Sequence, residues 1–167
     1  MLKTLIALLL IESLNAFGIK SISANFTQII NNEVQSIEYS GKLIATLDSK
    51  AYWEYNKPTQ KKIIINNNKI IIYEPEIKQA IVSSQSSIDF LQVINSMKKS
   101  KDGLYESIID NTKFYIFTKD NKPYKMEYID NLDNEIIILL SNVKTNIKID
   151  ENVFDLKLPE DVNIISN

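Results

Sequence analysis

The 167-residue sequence contains no cysteine, no histidine and no arginine, so all 19 of its basic residues are lysines. Without cysteine and histidine it has no disulfides, no thiol nucleophile, no imidazole for acid–base catalysis and no typical zinc ligands. Without arginine it lacks the bidentate donor that recognises phosphates and guanine. The formal net charge is −2, so no electrostatic steering of nucleic acid is expected. These absences predict a protein without metal, cofactor or nucleic-acid partner.

Glycine and proline are also scarce, with three and four residues. The sequence has no internal repeat, no linker-like composition and no low-complexity segment. Its length suits one domain with a sizeable hydrophobic core.

The N-terminus has the pattern of an export signal. Lys3 precedes the short apolar run 5–11, and Ala16 offers a small residue at the cleavage site. We therefore expect residues 1–16 to be a cleaved signal peptide and residues 17–167 to form the mature domain. The alternative is an uncleaved helix packed on the domain. Because no cysteine follows the signal, the mature protein is expected to be exported and soluble, without a lipid anchor.

Residues 40–75 alternate short apolar runs with turn residues. Leu43, Ala45 and Leu47 recur at a period of two, and Ala51, Trp53 and Tyr55 do the same. Two isoleucine triplets, 63–65 and 70–72, flank three asparagines, which is typical of a tight hairpin. This stretch predicts a four-stranded antiparallel meander.

The remaining periodicity predicts more strands and one helix. Strands are expected at 22–28, 35–45, 79–83, 104–109, 113–119, 124–129, 135–140 and 142–147, with a helical turn at 150–154 and a strand-like alternation at 154–158. The helix is predicted at 88–99, with a capping box from Ser86 to Asp89, lysines at its C-terminal end and Gly103 as its stop. Its apolar side consists of Phe90, Val93, Ile94 and Met97, with Leu91 at the edge.

One helix in an otherwise all-strand domain has two interpretations. It either plugs one end of the sheet as ordinary core, or it forms a lid over an apolar concavity. Composition alone favours the plug. Apolar pockets and apolar cores are built from the same residue types, so no period in the sequence distinguishes them.

Several short strings stand in a fixed order along the chain: FTQ at 26–28, SGKL at 40–43, WEYNKP at 53–58, IIIYEP at 70–75, SSIDFLQVI at 86–94 and, more loosely, LKLPEDVNII at 156–165. Together with the signal peptide, this set resembles the outer-membrane lipoprotein carrier protein family, LolA, over nearly all of the mature chain. The lipid-anchored receptor of the same fold, LolB, would require a lipidated cysteine, which is missing.

The resemblance implies a mainly β, single-domain fold: about eleven antiparallel strands curved into a half-open barrel with an α-helical lid. It implies a monomeric periplasmic chaperone, not an enzyme, that receives acylated lipoproteins from an inner-membrane lipoprotein-releasing ABC complex and delivers them to an outer-membrane acceptor. With the strand and helix patterns, it suggests an acyl-chain site formed by Phe26, Leu43, Ala45, Leu47, Trp53, Tyr55, Ile71, Tyr73, Phe90, Leu91, Val93, Ile94 and Met97.

The sequence departs from the family pattern in two places. An arginine that pairs with the lid in the family is matched here by Leu47, or by Thr46 if the alignment shifts by one residue. The N-terminal helix of the family has little room between Ala16 and the strand at Phe26. We therefore expect apolar contact to hold the lid, supplemented by a lysine such as Lys50.

Two other classes of function are compatible with parts of the sequence. An enzyme would have to use carboxylates and lysines. The carboxylates that flank the aromatic strands, Glu54, Glu74 and Glu76, are better explained as solvated charges at strand edges. A periplasmic sensor or protein-interaction module of the same fold is the main alternative, since fold does not fix function. That alternative predicts a stable protein partner and no acyl-chain binding.

Overall fold

The computed structural model describes residues 18–84, 89–102 and 104–166. The predicted signal peptide, the serine of the predicted capping box and the predicted stop at Gly103 lie outside these residues. No helix in the described ranges is both long enough and apolar enough to span a bilayer.

Within these ranges, twelve strands form one mixed sheet that does not close on itself. The first six are β1 (Ser21–Asn31), β2 (Ser36–Thr46), β3 (Lys50–Lys57), β4 (Lys61–Asn66), β5 (Lys69–Glu74) and β6 (Gln79–Ser83). The others are β7 (Lys98–Lys99), β8 (Tyr105–Ile109), β9 (Thr112–Lys119), β10 (Lys122–Ile129), β11 (Glu135–Thr145) and β12 (Asn163–Ser166). The mainly β prediction is confirmed, with twelve strands in place of about eleven.

The strand order is β12-β6-β5-β4-β3-β2-β1-β11-β10-β9-β8-β7, so the N-terminal meander and the C-terminal meander join through the pairing of β1 with β11. All pairs are antiparallel except β12 with β6. Asparagine and aspartate occupy most of the positive-φ positions in the turns, because both tolerate that conformation. Asn67 has φ 55° in the predicted β4–β5 hairpin, and Asp110 and Asn111 have φ 48° and 64° between β8 and β9.

The register gives the sheet two distinct faces. Leu43 pairs with Ala24 on one side and with Trp53 on the other, and directly opposed side chains in a ladder share a face. This face carries the hydrophobic core, with residues from β1, β2, β3, β9, β10 and β11. On the opposite face, Ile64 is buried and Phe154 is buried in a 3-10 turn, Glu151–Phe154, that contacts β3 and β4. That turn confirms the predicted helical turn at 150–154.

The sheet is strongly curved around the core face. Trp53 of β3 and Phe114 of β9 line the same cavity, although β9 is the fifth strand from β3 in the sheet order. In a flat sheet, five steps between strands would separate them by about 24 Å. The core face is therefore concave, and the half-open barrel expected from the sequence is the observed architecture.

The helix α1 (Phe90–Asn95) is shorter than the predicted helix. Its end was predicted wrongly, because Lys98 and Lys99 form strand β7 and pair with Glu106 and Tyr105 of β8. The Ser96 hydroxyl bonds to the Val93 carbonyl and to the Ser107 hydroxyl, which closes the helix and directs the chain into the sheet. The pairing with β8 thus overrides the helical spacing of the sequence.

Two further strand predictions were wrong near the C-terminus. The separate strands expected at 135–140 and 142–147 are one strand, β11, since Asn142 and Val143 lie at an irregularity in the register with β1, where Asn142 has φ 52°. The alternation at 154–158 yields no strand, and β12 forms farther along the chain by pairing with β6.

Candidate functional site: a cavity beneath the helix

Helix α1 lies against the concave face and buries its apolar side there. Phe90, Leu91, Val93 and Ile94 are all less than a tenth exposed. Asp89 is the N-cap, and its Oδ1 accepts hydrogen bonds from the backbone N–H groups of Leu91 (2.9 Å) and Gln92 (3.1 Å). The aspartate predicted as the second member of a capping box therefore caps the helix itself.

The C-terminal end of α1 is fixed to the start of β1. The Asn95 side chain donates to the Ile19 carbonyl (2.8 Å) and accepts from the Ile19 N–H (3.1 Å), which imitates a pair of strand hydrogen bonds. The Ser96 and Ser107 hydroxyls, 2.6 Å apart, add a tie to β8. These bonds hold the helix in position over the sheet.

A cavity of about 210 Å³ lies between the N-terminal half of α1 and the sheet. Phe90 and Val93 form its roof. Its walls are mostly apolar and come from both meanders: Ala51, Trp53, Ile65, Phe114, Met126, Tyr128 and Ile138. Its polar lining residues are mostly solvent-exposed and form the mouth: Ser49, Lys50, Asn67, Asn68, Asp89 and Gln92. The cavity is therefore amphipathic, with an apolar interior and a polar entrance.

A row of aromatic rings runs along the wall from the helix. Phe90 meets Trp53 edge-on with the ring centroids 5.4 Å apart, and Trp53 meets Phe26 at 5.1 Å. Phe26 then meets Tyr55 at 5.0 Å, and Tyr55 meets Tyr39 at 5.8 Å. Edge-to-face pairs of this kind contribute ~0.5–1.5 kcal/mol beyond their buried area, so the row gives the apolar wall a defined shape.

The hydroxyls on this wall are uncharged at neutral pH. Burial raises the pKa of Tyr55 and that of Tyr128. The Tyr55 hydroxyl donates to Gln28 Oε1 at 2.9 Å, and the Lys61 ammonium lies 4.6 Å from the centre of its ring. The wall therefore combines apolar area with neutral hydrogen-bonding groups.

Lys50 at the mouth forms ion pairs with two carboxylates. Its ammonium lies 2.6 Å from Asp48 Oδ2 and 2.7 Å from Glu151 Oε2. The hydrogen bond from Lys50 lowers the pKa of Asp48, and the Asp48 carboxylate in turn raises the pKa of Lys50. Among the described residues these are its ion-pair partners, so Lys50 ties the β2–β3 turn to the 3-10 turn and not to α1.

The structure brings most of the residues predicted for the site onto one face. Trp53, Phe90 and Val93 line the cavity. Seven others are buried in the surrounding core: Phe26, Leu43, Ala45, Tyr55, Leu91, Ile94 and Met97.

Three predicted residues lie elsewhere. Ile71 and Tyr73 pair with Ile64 and Lys62, so the register places both on the face opposite the cavity. Leu47 follows the end of β2, is 55% exposed and lines a shallow cleft beside the polar side of α1.

Sequence reasoning missed the half of the wall that the C-terminal meander supplies. Phe114, Met126, Tyr128 and Ile138 come from β9, β10 and β11. Alternation with charged residues singles out only Met126 and Tyr128, because Phe114 and Ile138 have apolar neighbours on their strands. The β1–β11 pairing and the curvature bring all four opposite Trp53. Neither feature is visible in a local pattern.

The carboxylates considered from the sequence lie away from the cavity. The described residues contain no cluster of three or more Asp, Glu, His or Cys side chains able to hold a metal ion. Glu54 and Glu74, two carboxylates considered from the sequence, do not line the cavity, and Glu76 is exposed in the β5–β6 connection.

Comparisons with known proteins agree with this geometry. A family model described as outer membrane lipoprotein carrier protein LolA matches residues 18–98. An outer-membrane lipoprotein carrier protein of Helicobacter hepaticus is 34% identical over 151 residues, which cover 89% of this chain and 84% of the relative. One of the same description from Campylobacter jejuni is 35% identical over 149 residues, covering 87% of this chain and 86% of the relative.

Similarity to solved structures supports the fold. A crystal structure of an uncharacterised conserved protein from Thermus thermophilus aligns over 92% of this chain and 94% of its own, with a TM-score of 0.57 and 12% identity.

Proposed function

We infer the function from one premise: this chain belongs to the outer-membrane lipoprotein carrier protein family, LolA. We propose that it is a lipoprotein carrier that works without catalysis and holds the acyl chains of its cargo in the cavity beneath α1. The observation that carries the proposal is the amphipathic shape of this cavity, with aromatic and aliphatic walls behind a polar mouth.

The size of the cavity suits a ligand that must be released again. Each buried methylene contributes ~0.8 kcal/mol, so burial of about ten would contribute ~8 kcal/mol. That corresponds to a micromolar dissociation constant before the entropy cost of association is subtracted. Partial burial of the acyl chains would thus give a complex stable enough to carry and weak enough to transfer.

The proposed route follows from the family and from the N-terminal sequence. After export and removal of residues 1–16, the chain would act in the periplasm as a monomer. It would receive acylated lipoproteins from an inner-membrane lipoprotein-releasing ABC complex and pass them to an outer-membrane acceptor. The carrier names of the relatives and the export signal support this route.

Trp53 provides a direct test, because it is the only tryptophan and lines the cavity. Titration with a synthetic diacylated lipopeptide is expected to shift its fluorescence to shorter wavelength with saturation, whereas the same peptide without acyl chains should have no effect. Fluorescence that is unchanged in intensity and wavelength would contradict the proposal.

Two isoleucines on neighbouring strands offer a matched pair of variants. Ile65 lines the cavity, whereas Ile71 lies on the opposite face. Ile65→Ala is expected to weaken lipopeptide binding several-fold, and Ile71→Ala should leave it unchanged. Equal effects of the two substitutions would show that the acyl chains bind elsewhere.

A further inference from the structure

The described residues at the mouth of the cavity include one cation and one carboxylate, and the two differ in how they are paired. Its cation, Lys50, is held by two carboxylates at 2.6 and 2.7 Å. Its carboxylate, Asp89, uses Oδ1 to cap α1, and no described residue donates a hydrogen bond to Oδ2. Among the described residues that line the cavity, Lys50 and Asp89 are the charged ones.

The other polar groups at the mouth are neutral. Asn67, Asn68 and Gln92 are exposed side-chain amides around the entrance. Amides both donate and accept hydrogen bonds, so they can pair with the carbonyl of an ester and with a hydroxyl. The one cation among the described lining residues, Lys50, is already paired, so an anionic head group would gain no ion pair from it and would lie close to the Asp89 carboxylate.

We propose that the mouth selects acylated ligands by the charge of their head group, admitting a neutral glyceryl ester and disfavouring a carboxylate or a phosphate. This inference rests on the function proposed above, because it assumes that acyl chains enter the cavity. It names the class of ligand: acyl esters with an uncharged head, in preference to free fatty acids and anionic phospholipids.

The physical basis is a like-charge repulsion at a partly exposed position. Asp89 is half-buried at the start of α1, so water and salt screen its field only in part. Interactions between exposed charges change binding about 1.5- to 5-fold. We expect an effect at the upper end of that range, and we expect added sodium chloride to reduce it.

Monolaurin and laurate provide a matched pair of probes, since they share the acyl chain and differ in the charge of the head. Calorimetric titration of the full mature chain is expected to show tighter binding of monolaurin at low salt. The readout is the dissociation constant of laurate divided by that of monolaurin, because this ratio cancels effects on the apolar part of the site.

Asp89→Asn is the informative variant, because asparagine caps helices as well as aspartate does while removing the charge. The ratio of the laurate dissociation constant to that of monolaurin is expected to fall about three- to fivefold in this variant. Asp133→Asn is the control, with the same loss of charge in an exposed turn at the opposite end of the strands, where φ of 61° suits asparagine. It should leave the ratio unchanged.

The outcomes separate the two proposals. Three results would overturn the charge selectivity and leave the carrier function standing. The two probes could bind equally, Asp89→Asn could leave the ratio unchanged, or Asp133→Asn could lower the ratio as much as Asp89→Asn does. Failure of both probes to bind would overturn the assignment of the cavity itself, and the selectivity with it.

Discussion

Truncation of Phe90 to alanine distinguishes a lid over a ligand site from an ordinary core helix. Phe90 is 7% exposed, forms the roof of the cavity and packs edge-on against Trp53 at 5.4 Å. Removing a fully packed phenylalanine typically costs ~3–5 kcal/mol of stability. One side of this ring faces a cavity, where it has few packing partners to lose.

We therefore expect Phe90→Ala to cost about 2–3 kcal/mol, including ~0.5–1.5 kcal/mol from the aromatic pair. Ile116 serves as the control, since it is 1% exposed and does not line the cavity. Ile116→Ala should cost about 3–4 kcal/mol although the side chain is smaller.

Binding should respond in the opposite order, with Phe90→Ala weakening the affinity for an acyl chain more than Ile116→Ala does. The contact that Phe90 offers an acyl chain is of the order of 50 Å², which corresponds to ~1.3 kcal/mol, or about tenfold in affinity. Urea unfolding followed by circular dichroism gives the stabilities, and calorimetry with monolaurin gives the affinities. If Phe90→Ala lowers the free energy of unfolding by more than about 4 kcal/mol and leaves binding unchanged, the helix is part of the ordinary hydrophobic core and not a lid.

Three further substitutions test the frame around the site. Gly41→Ala should cost ~3 kcal/mol in urea unfolding, because its Cβ would lie 1.8 Å from the Glu54 carbonyl oxygen and force β2 and β3 apart; a near-neutral result would show that the strands are not so closely spaced. Asn95→Ala should cost about 1–2 kcal/mol and speed hydrogen exchange in α1, because it leaves the Ile19 backbone groups without their partners; unaltered exchange would mean that the helix is held by packing alone. The raised pKa of Tyr55 predicts that its contribution to the free energy of unfolding is fully present below pH ~10 and declines as the pH rises further, because the tyrosine ionises there in the unfolded chain while it keeps its proton in the folded one. Tyr55→Phe should flatten that decline in the urea midpoint, and an equal slope in both proteins would assign it to other groups.

The local elements of this fold could be read from the sequence because their signals are local. The period-two runs around Leu43 and Trp53 and the asparagines between the isoleucine triplets predicted β2 to β5 correctly. The errors occurred where a distant partner decides the structure. Lys98 and Lys99 continue a helical pattern, yet they pair with β8. β12 forms only because β6 offers a free edge.

The candidate site was predictable in part for the same reason. The alternation that includes Trp53 and the amphipathic spacing of Phe90 and Val93 identified the roof and one wall. Ile71 was assigned to the site on its apolar character, but its pairing with Ile64 places it on the opposite face. A shift of one residue in register exchanges the two faces of a strand, so such assignments need the ladder itself. Leu47 remains a prediction for lid closure; it lies in the cleft beside α1.

Mass spectrometry of the protein purified without detergent from the periplasm tests the carrier function most directly. We expect a mature chain that begins near residue 17 and co-purifies with acylated lipoproteins, whose modified N-termini are identified after digestion. The same preparation of Phe90→Ala should retain less of this cargo. A protein free of acylated material and bound instead to one stable protein partner would contradict the carrier function and favour an interaction module of the same fold.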